Sequence, residues 1–267
     1  MSRLARVDAS IIRVVRAGAA VFLLFVAIVT LSACQPESIN LESSLAAEPV
    51  VPDGFERAEG PMPLIFPDDH GPHPDYQTEW WYYTGNLDTT EGRHFGYQLT
   101  FFRRALIPAD QRSQRNSDWA TDQVFMGHFA LTDVEANEFN AFERFSRGAA
   151  GLSGAQADPY AVWLEDWQVK ETNPGTYNLV ASQEGIELDL TLTDRKGPIL
   201  QGDQGYSQKG LDPGNASYYY SLTRLESNGI LRLDDESFAV SGTSWMDHEY
   251  STSALSTGQI GWDWFSL

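Results

Sequence analysis

Ile186-Glu187-Leu188-Asp189-Leu190-Thr191-Leu192-Thr193 alternates apolar and polar residues without a break. Successive side chains of an extended chain point to opposite faces, so four aliphatics turn inward while Glu187, Asp189, Thr191 and Thr193 meet water. A helix would scatter these residues around its circumference. The pattern therefore demands a half-buried strand, and much of the chain beyond residue 70 repeats it less cleanly. Thr78 to Leu87 is followed by polar turn residues Asp88 to Gly92 and by an antiparallel partner, His94 to Arg103. Gln123 to Val134 predicts a third strand. Tyr160 to Glu171 and Thr176 to Ser182 form a hairpin around Asn173-Pro174-Gly175, and Ser217–Glu226, Ile230–Leu233, Phe238–Tyr250 and Gly258–Leu267 complete the series.

Between these lie a polar loop from Pro108 to Asp122, an irregular or short helical stretch from Phe139 to Gly154, and a Gly- and Pro-rich loop from Lys196 to Asn215. Beyond the N-terminal leader, no helix of ordinary length is signalled. Many short strands with turns between them predict an all-β antiparallel barrel or sandwich. The last segment, Ile260 to Leu267, is apolar strand sequence without a polar tail, which reads as a chain cut short.

Eighteen basic against 37 acidic residues repel a phosphate backbone, so no nucleic-acid partner is expected. Arg3, Arg6, Arg13 and Arg16 precede an apolar run from Ala17 to Leu31, as in a secretory signal. Leu31-Ser32-Ala33-Cys34 resembles the lipobox of bacterial lipoproteins, in which the cysteine is lipidated. Cys34 is the one cysteine of the chain, so no internal disulfide forms. The expectation is a signal peptide over residues 1–34 and a periplasmic lipoprotein held in the membrane through Cys34. Gln35 after the cysteine favours the outer membrane. Residues 35–60, small, acidic and without periodicity, read as a tether.

The chemistry concentrates in Trp245-Met246-Asp247-His248-Glu249-Tyr250. Alternation puts Trp245, Asp247 and Glu249 on one strand face and Met246, His248 and Tyr250 on the other. Glu79, Trp81 and Tyr83 likewise share a face, and Glu79 reads as an inward acid answered by Arg103 or Arg144. His73, Asp75, Glu79, His128 and His248 could converge at one barrel mouth. Their spacing has no compact metal signature, so no metal and no cofactor is assigned.

Four motifs in order resemble the AttH/CrtC family, which includes carotenoid 1,2-hydratases and predicted secreted hydrolases. They are His73-Pro74-Asp75-Tyr76-Gln77-Thr78-Glu79-Trp80-Trp81-Tyr82, Gly96-Tyr97-Gln98-Leu99-Thr100-Phe101-Phe102, Met126-Gly127-His128-Phe129-Ala130 and Trp245-Met246-Asp247-His248-Glu249. The resemblance covers residues 61 to 267. It implies two lipocalin-like barrels, the first complete over residues 61–235 and the second begun over 236–267 and truncated. It further implies an apolar, isoprenoid- or lipid-like ligand, with hydratase or hydrolase activity by carboxylate acid catalysis. The alternative it implies is a carrier without catalysis, serving an ABC-type export permease.

Hydrating an alkene needs a strong proton donor in a dry pocket, where burial keeps a carboxyl protonated. Aromatic faces stabilise the cation, by roughly 0.5–2 kcal/mol per ring. Asp247 and His248, then Asp263 and Glu249, are the candidate catalytic residues. Trp245, Tyr250, Trp262, Trp81, Glu79 and His128 are the candidate ligand contacts. The competing reading makes the Trp245–Tyr250 stretch a buried hydrogen-bond network that only joins packed elements.

Overall fold

The structure, a computed structural model, describes residues 53–112 and 117–253. All of them fall within one compact unit, Ala47–Leu267. Cys34, the apolar run before it, and Trp262 and Asp263 lie outside the described residues. Among the described residues no helix is long and apolar enough to cross a membrane.

Thirteen strands form one antiparallel sheet that curls into a nearly closed barrel. Strands β1 (Thr78–Thr89), β2 (His94–Ala105), β3 (Gln123–Asp133) and β4 (Glu138–Arg147) make one meander. A second comprises β5 (Ser153–Gln156), β6 (Ala161–Leu164), β7 (Trp167–Asn173), β8 (Thr176–Gln183) and β9 (Ile186–Asp194). Between them lies a hairpin of two 18-residue strands, β12 (Ala216–Leu233) and β13 (Glu236–Ser253). β13 pairs with β1 and β12 with β9, so this hairpin is the seam that joins the two meanders. Short strands β10 (Pro198–Leu200) and β11 (Tyr206–Gln208) lie against β12, inside the stretch expected to be loop.

The alternation of Ile186–Thr193 holds residue by residue: Ile186, Leu188, Leu190 and Leu192 are buried and the residues between them are not. The tight β8–β9 turn is made by Glu184 and Gly185, both at positive φ, as a two-residue antiparallel hairpin requires. Inward positions carry large rings. Trp81, Trp167, Tyr83, Tyr160, Tyr220, Phe95, Phe101, Phe125 and Phe129 are all buried and fill the interior with close-packed side chains.

Three expectations are corrected. Phe139 to Gly154 is not irregular; most of it is strand β4, disguised because an inward position holds Arg144. The guanidinium of Arg144 lies 4.2 Å over the ring of Trp167, which lets a charged residue face a core. The boundary between residues 235 and 236 falls where the two-residue turn of the β12–β13 hairpin meets β13, so residues 236–253 belong to the first barrel's sheet. Gly229 and Gly242 sit mid-strand in this hairpin. A Cβ on Gly229 would strike the Asp189 carbonyl, and one on Gly242 the Asn86 carbonyl, so glycine is what lets neighbouring backbones approach. Finally, the expected tether ends early. Phe55 and Ala58 are buried, the Glu56 N–H donates to the Asp75 carbonyl at 3.0 Å, and Tyr218 donates to the Gly60 carbonyl at 2.9 Å. Two isolated apolar residues give no periodic signal.

Candidate functional site

The register of four adjacent strands, β2-β1-β13-β12, builds two sites back to back. On the inner face, Phe101, Trp81, His248 and Tyr220 stand side by side, and Arg103, Glu79, Tyr250 and Tyr218 form the next row. On the outer face the intervening rows are Phe102, Trp80, Glu249, Tyr219 and Thr100, Tyr82, Asp247, Ser221. Strand alternation alone separates the two sets.

The inner rows hold an ion network. Glu79 is fully buried, and its Oε2 accepts from Arg103 Nε at 2.8 Å. Its Oε1 accepts from both His73 Nδ1 and His248 Nε2, each at 2.8 Å. His73 Nε2 reaches Asp69 Oδ1 at 2.9 Å from the segment that precedes β1. A carboxylate only accepts, so His73 gives both ring protons and is an imidazolium between two anions. Burial alone would lower its pKa, but the hydrogen bonds to Asp69 and Glu79 outweigh burial and hold it at about 9. Burial would raise Glu79, but Arg103 and the two histidines hold it well below the carboxylate range. The quartet Asp69, His73, Glu79, Arg103 is therefore neutral as a whole.

His248 differs. Burial lowers its pKa despite Glu79, so it is a neutral ring donating through Nε2. Its Nδ1 then accepts from the Tyr220 hydroxyl at 3.1 Å, whose oxygen accepts from His70 Nδ1 at 2.7 Å. Trp81 stacks on His248 at 4.8 Å, and Tyr250 on His73 at 3.5 Å. His73, Glu79 and His248 present donor atoms within 4.8 Å of one another, a set of the kind that binds a transition metal. Here those atoms already serve one another and Arg103, so each has a hydrogen-bond partner, while Nη1 of Arg103 is buried without one.

The outer rows enclose a pocket of about 160 Å³ lined by Trp80, Tyr82, Thr100, Phe102, Tyr219, Asp247 and Glu249. Asp247 is buried, and its Oδ1 accepts from Ser221 Oγ at 2.5 Å and Trp245 Nε1 at 2.7 Å. Tyr219 also hydrogen-bonds this carboxyl. Its Oδ2, equally buried, has no partner. Burial raises the pKa of Asp247 above its ordinary value and outweighs these donors. Glu249 is also buried and raised by burial, but Lys209 Nζ lies 2.7 Å from its Oε1, and Ser217 donates to the same oxygen.

Asp247 and His248 thus stand on opposite faces of β13 and share no contact. The expected catalytic pair is separated by the sheet itself. Trp245 stays with Asp247, whereas Trp81, Tyr250 and Glu79 belong to the buried inner face. His128 does not join the other histidines, because register places it beside Thr100 on the outer face. It meets Glu143 at 3.2 Å and the edge of Phe102 at 5.4 Å. Asp75 is exposed. Arg103, not Arg144, answers Glu79. Sequence reasoning missed Trp80, Tyr82, Phe102, Tyr219 and Lys209 around the pocket, and Asp69, His70 and Tyr220 in the network. Trp80 and Tyr82 alternate within their motif, but only the register shows which acids they face.

The model of the AttH-like family matches residues 57–267. The chain belongs to the AttH-like family. An AttH crystal structure from Nitrosomonas europaea is similar to this AttH-like chain with a TM-score of 0.65 and 33% identity, over 79% of this chain and 60% of that one. Kievitone hydratase from Nectria haematococca is similar with a TM-score of 0.53 and 13% identity, over 78% of this chain and 58% of that one, a likeness of fold. The AttH-like chain spans about 60% of the length of these structures. Among curated proteins nothing matches it.

Proposed function

We propose that the outer pocket binds an apolar, isoprenoid-like alkene and adds water to it, with Asp247 as the proton donor. The observation that carries this reading is one carboxyl with two unlike oxygens. Oδ1 takes hydrogen bonds from Ser221 and Trp245, as a carbonyl oxygen would, while Oδ2 is left for the proton. A carboxyl that is buried, raised and walled by rings can protonate a double bond, because the rings hold the resulting cation and exclude competing nucleophiles. The same fold in kievitone hydratase, a hydratase by name, supports the reaction class.

The test is incubation of the full chain with short prenyl alkenes in ¹⁸O-labelled water. Label should appear in a tertiary alcohol, and the rate should fall as pH rises past the raised pKa of Asp247, because only the acid form donates. Ligand recovered unchanged at every pH would sink the hydratase and leave the alternative from the sequence, a carrier serving an export permease. Lipid attachment through Cys34 at the periplasmic face of the outer membrane completes the proposal. Cys34→Ala should move the protein from the membrane to the soluble fraction; retention in the membrane would refute the anchor.

A further inference from the structure

We propose that Asp247 and Glu249 divide the two proton transfers of the pocket: Asp247 gives a proton to the substrate carbon, and Glu249, held as an anion by Lys209, takes one from the attacking water. This rests on the hydration reading above and assigns the second half of its chemistry.

Cations are scarce around the pocket. Two carboxyls line the same pocket from one strand face, and both are buried. Lys209 meets Glu249 at 2.7 Å; its charge also lowers Asp247, but from beyond ion-pair distance, and among the described residues no ion pair reaches Asp247. The other polar groups around the pair are neutral: the Trp245 indole N–H, and the hydroxyls of Tyr82 from β1, Tyr219, Ser217 and Ser221 from β12, and Thr100 from β2. Burying two anions beside one cation is costly, so one carboxyl keeps its proton, and the one without the lysine is Asp247. Burial raises both acids, and a cation in contact with one of them separates their roles into an acid and a base.

Lys209 is well placed to hold that difference. Its own N–H and that of Gly210 donate to the Asn215 carbonyl at 2.9 and 3.2 Å, which closes the loop. Its ammonium lies 5.3 Å from the ring centre of Tyr219, so it reaches Glu249 across an aromatic pocket wall. Residues two apart on a strand stand about 6.6–6.8 Å from each other.

The step balances. The π electrons of the double bond take the Asp247 proton, forming a C–H bond and a cation on the neighbouring carbon. The oxygen of water forms the C–O bond, and its surplus proton passes to Glu249. Exchange through water then returns a proton to Asp247, and the net change is one water added across the double bond. Lys209 touches no reacting atom and acts by positioning and charge.

Carboxyl ¹³C resonances of the full chain, labelled in Asp and Glu and assigned with Asp247→Asn and Glu249→Gln, test this without any substrate. Near pH 7, Asp247 should be in the acid form and Glu249 in the anionic form. Lys209→Met should drive Glu249 to the acid form while leaving Asp247 protonated, and Lys209→Gln repeats the measurement if the methionine variant folds poorly. Glu249→Gln should lower hydration by about 10²-fold. Two anions in the wild type, a protonated Glu249, or a Glu249 signal indifferent to Lys209 would each overturn the division. If the division holds and no ¹⁸O is incorporated, the hydration reading fails alone.

Discussion

Asp247→Asn should abolish hydration while leaving the fold nearly untouched. An amide keeps an acceptor oxygen for Ser221 and Trp245 and replaces the unpartnered Oδ2 by a group of similar size. What it lacks is a transferable proton. Removing a positioned general acid costs typically 10²–10⁴-fold in rate. The decline with rising pH should vanish as well, because no titrating donor remains. The stability profile offers a check on the same group. A carboxyl whose folded pKa lies above its unfolded one favours the native state at low pH and loses that contribution as pH rises through the raised value. The neutral amide stands in for the acid form at every pH, so the variant's stability should lack this fall as pH rises. A large fall in melting temperature at all pH values would instead make Asp247 a packing residue.

The second large effect belongs to the inner face and is one of stability. Arg103→Met should cost about 3–5 kcal/mol, because it leaves the Asp69 and Glu79 carboxylates with His73 as their one cation and the network with a net buried negative charge. For a domain of this size that corresponds to a fall in melting temperature of roughly 6–20 °C by calorimetry. Glu79→Gln combined with Arg103→Met should cost less than the sum of the single changes, since neither charge is then stranded. Additive losses would show that the pair is not coupled. The same network predicts an alkaline limit. His73 is held at about 9 against an ordinary 6.5, so its contribution is complete below about 6.5 and disappears as pH rises through about 9.

The two effects explain how far the sequence could be read. Strand positions in Ile186–Thr193 were legible because alternation is local and needs no partner. The opposite facing of Asp247 and His248 was legible for the same reason, and it already argues against joining them as one pair. The roles were not legible, because each depends on register. Only the alignment of Tyr82 and Ser221 with Asp247, and of Arg103 with Glu79, shows which residue has a free oxygen and which is fully paired. The sequence posed a choice between an acid and a structural network for one short stretch. The sheet places both there, on opposite faces: Asp247 is the candidate acid and His248 part of the network. Lys209 was hidden because it comes from a loop without periodicity, and no strand pattern points to it.

The shared face of β13 has one more consequence. Asp247 and Glu249 project from a single wall, so a flat double bond lying against that wall meets both carboxyls on the same side. The new hydrogen and the new hydroxyl should then be delivered to one face of the alkene. With 1-methylcyclohexene as the probe in deuterated water, the alcohol should carry deuterium and oxygen cis to each other. An acid and a base facing each other across a cleft would give the trans product, so the handedness of addition records that the site is built on one strand.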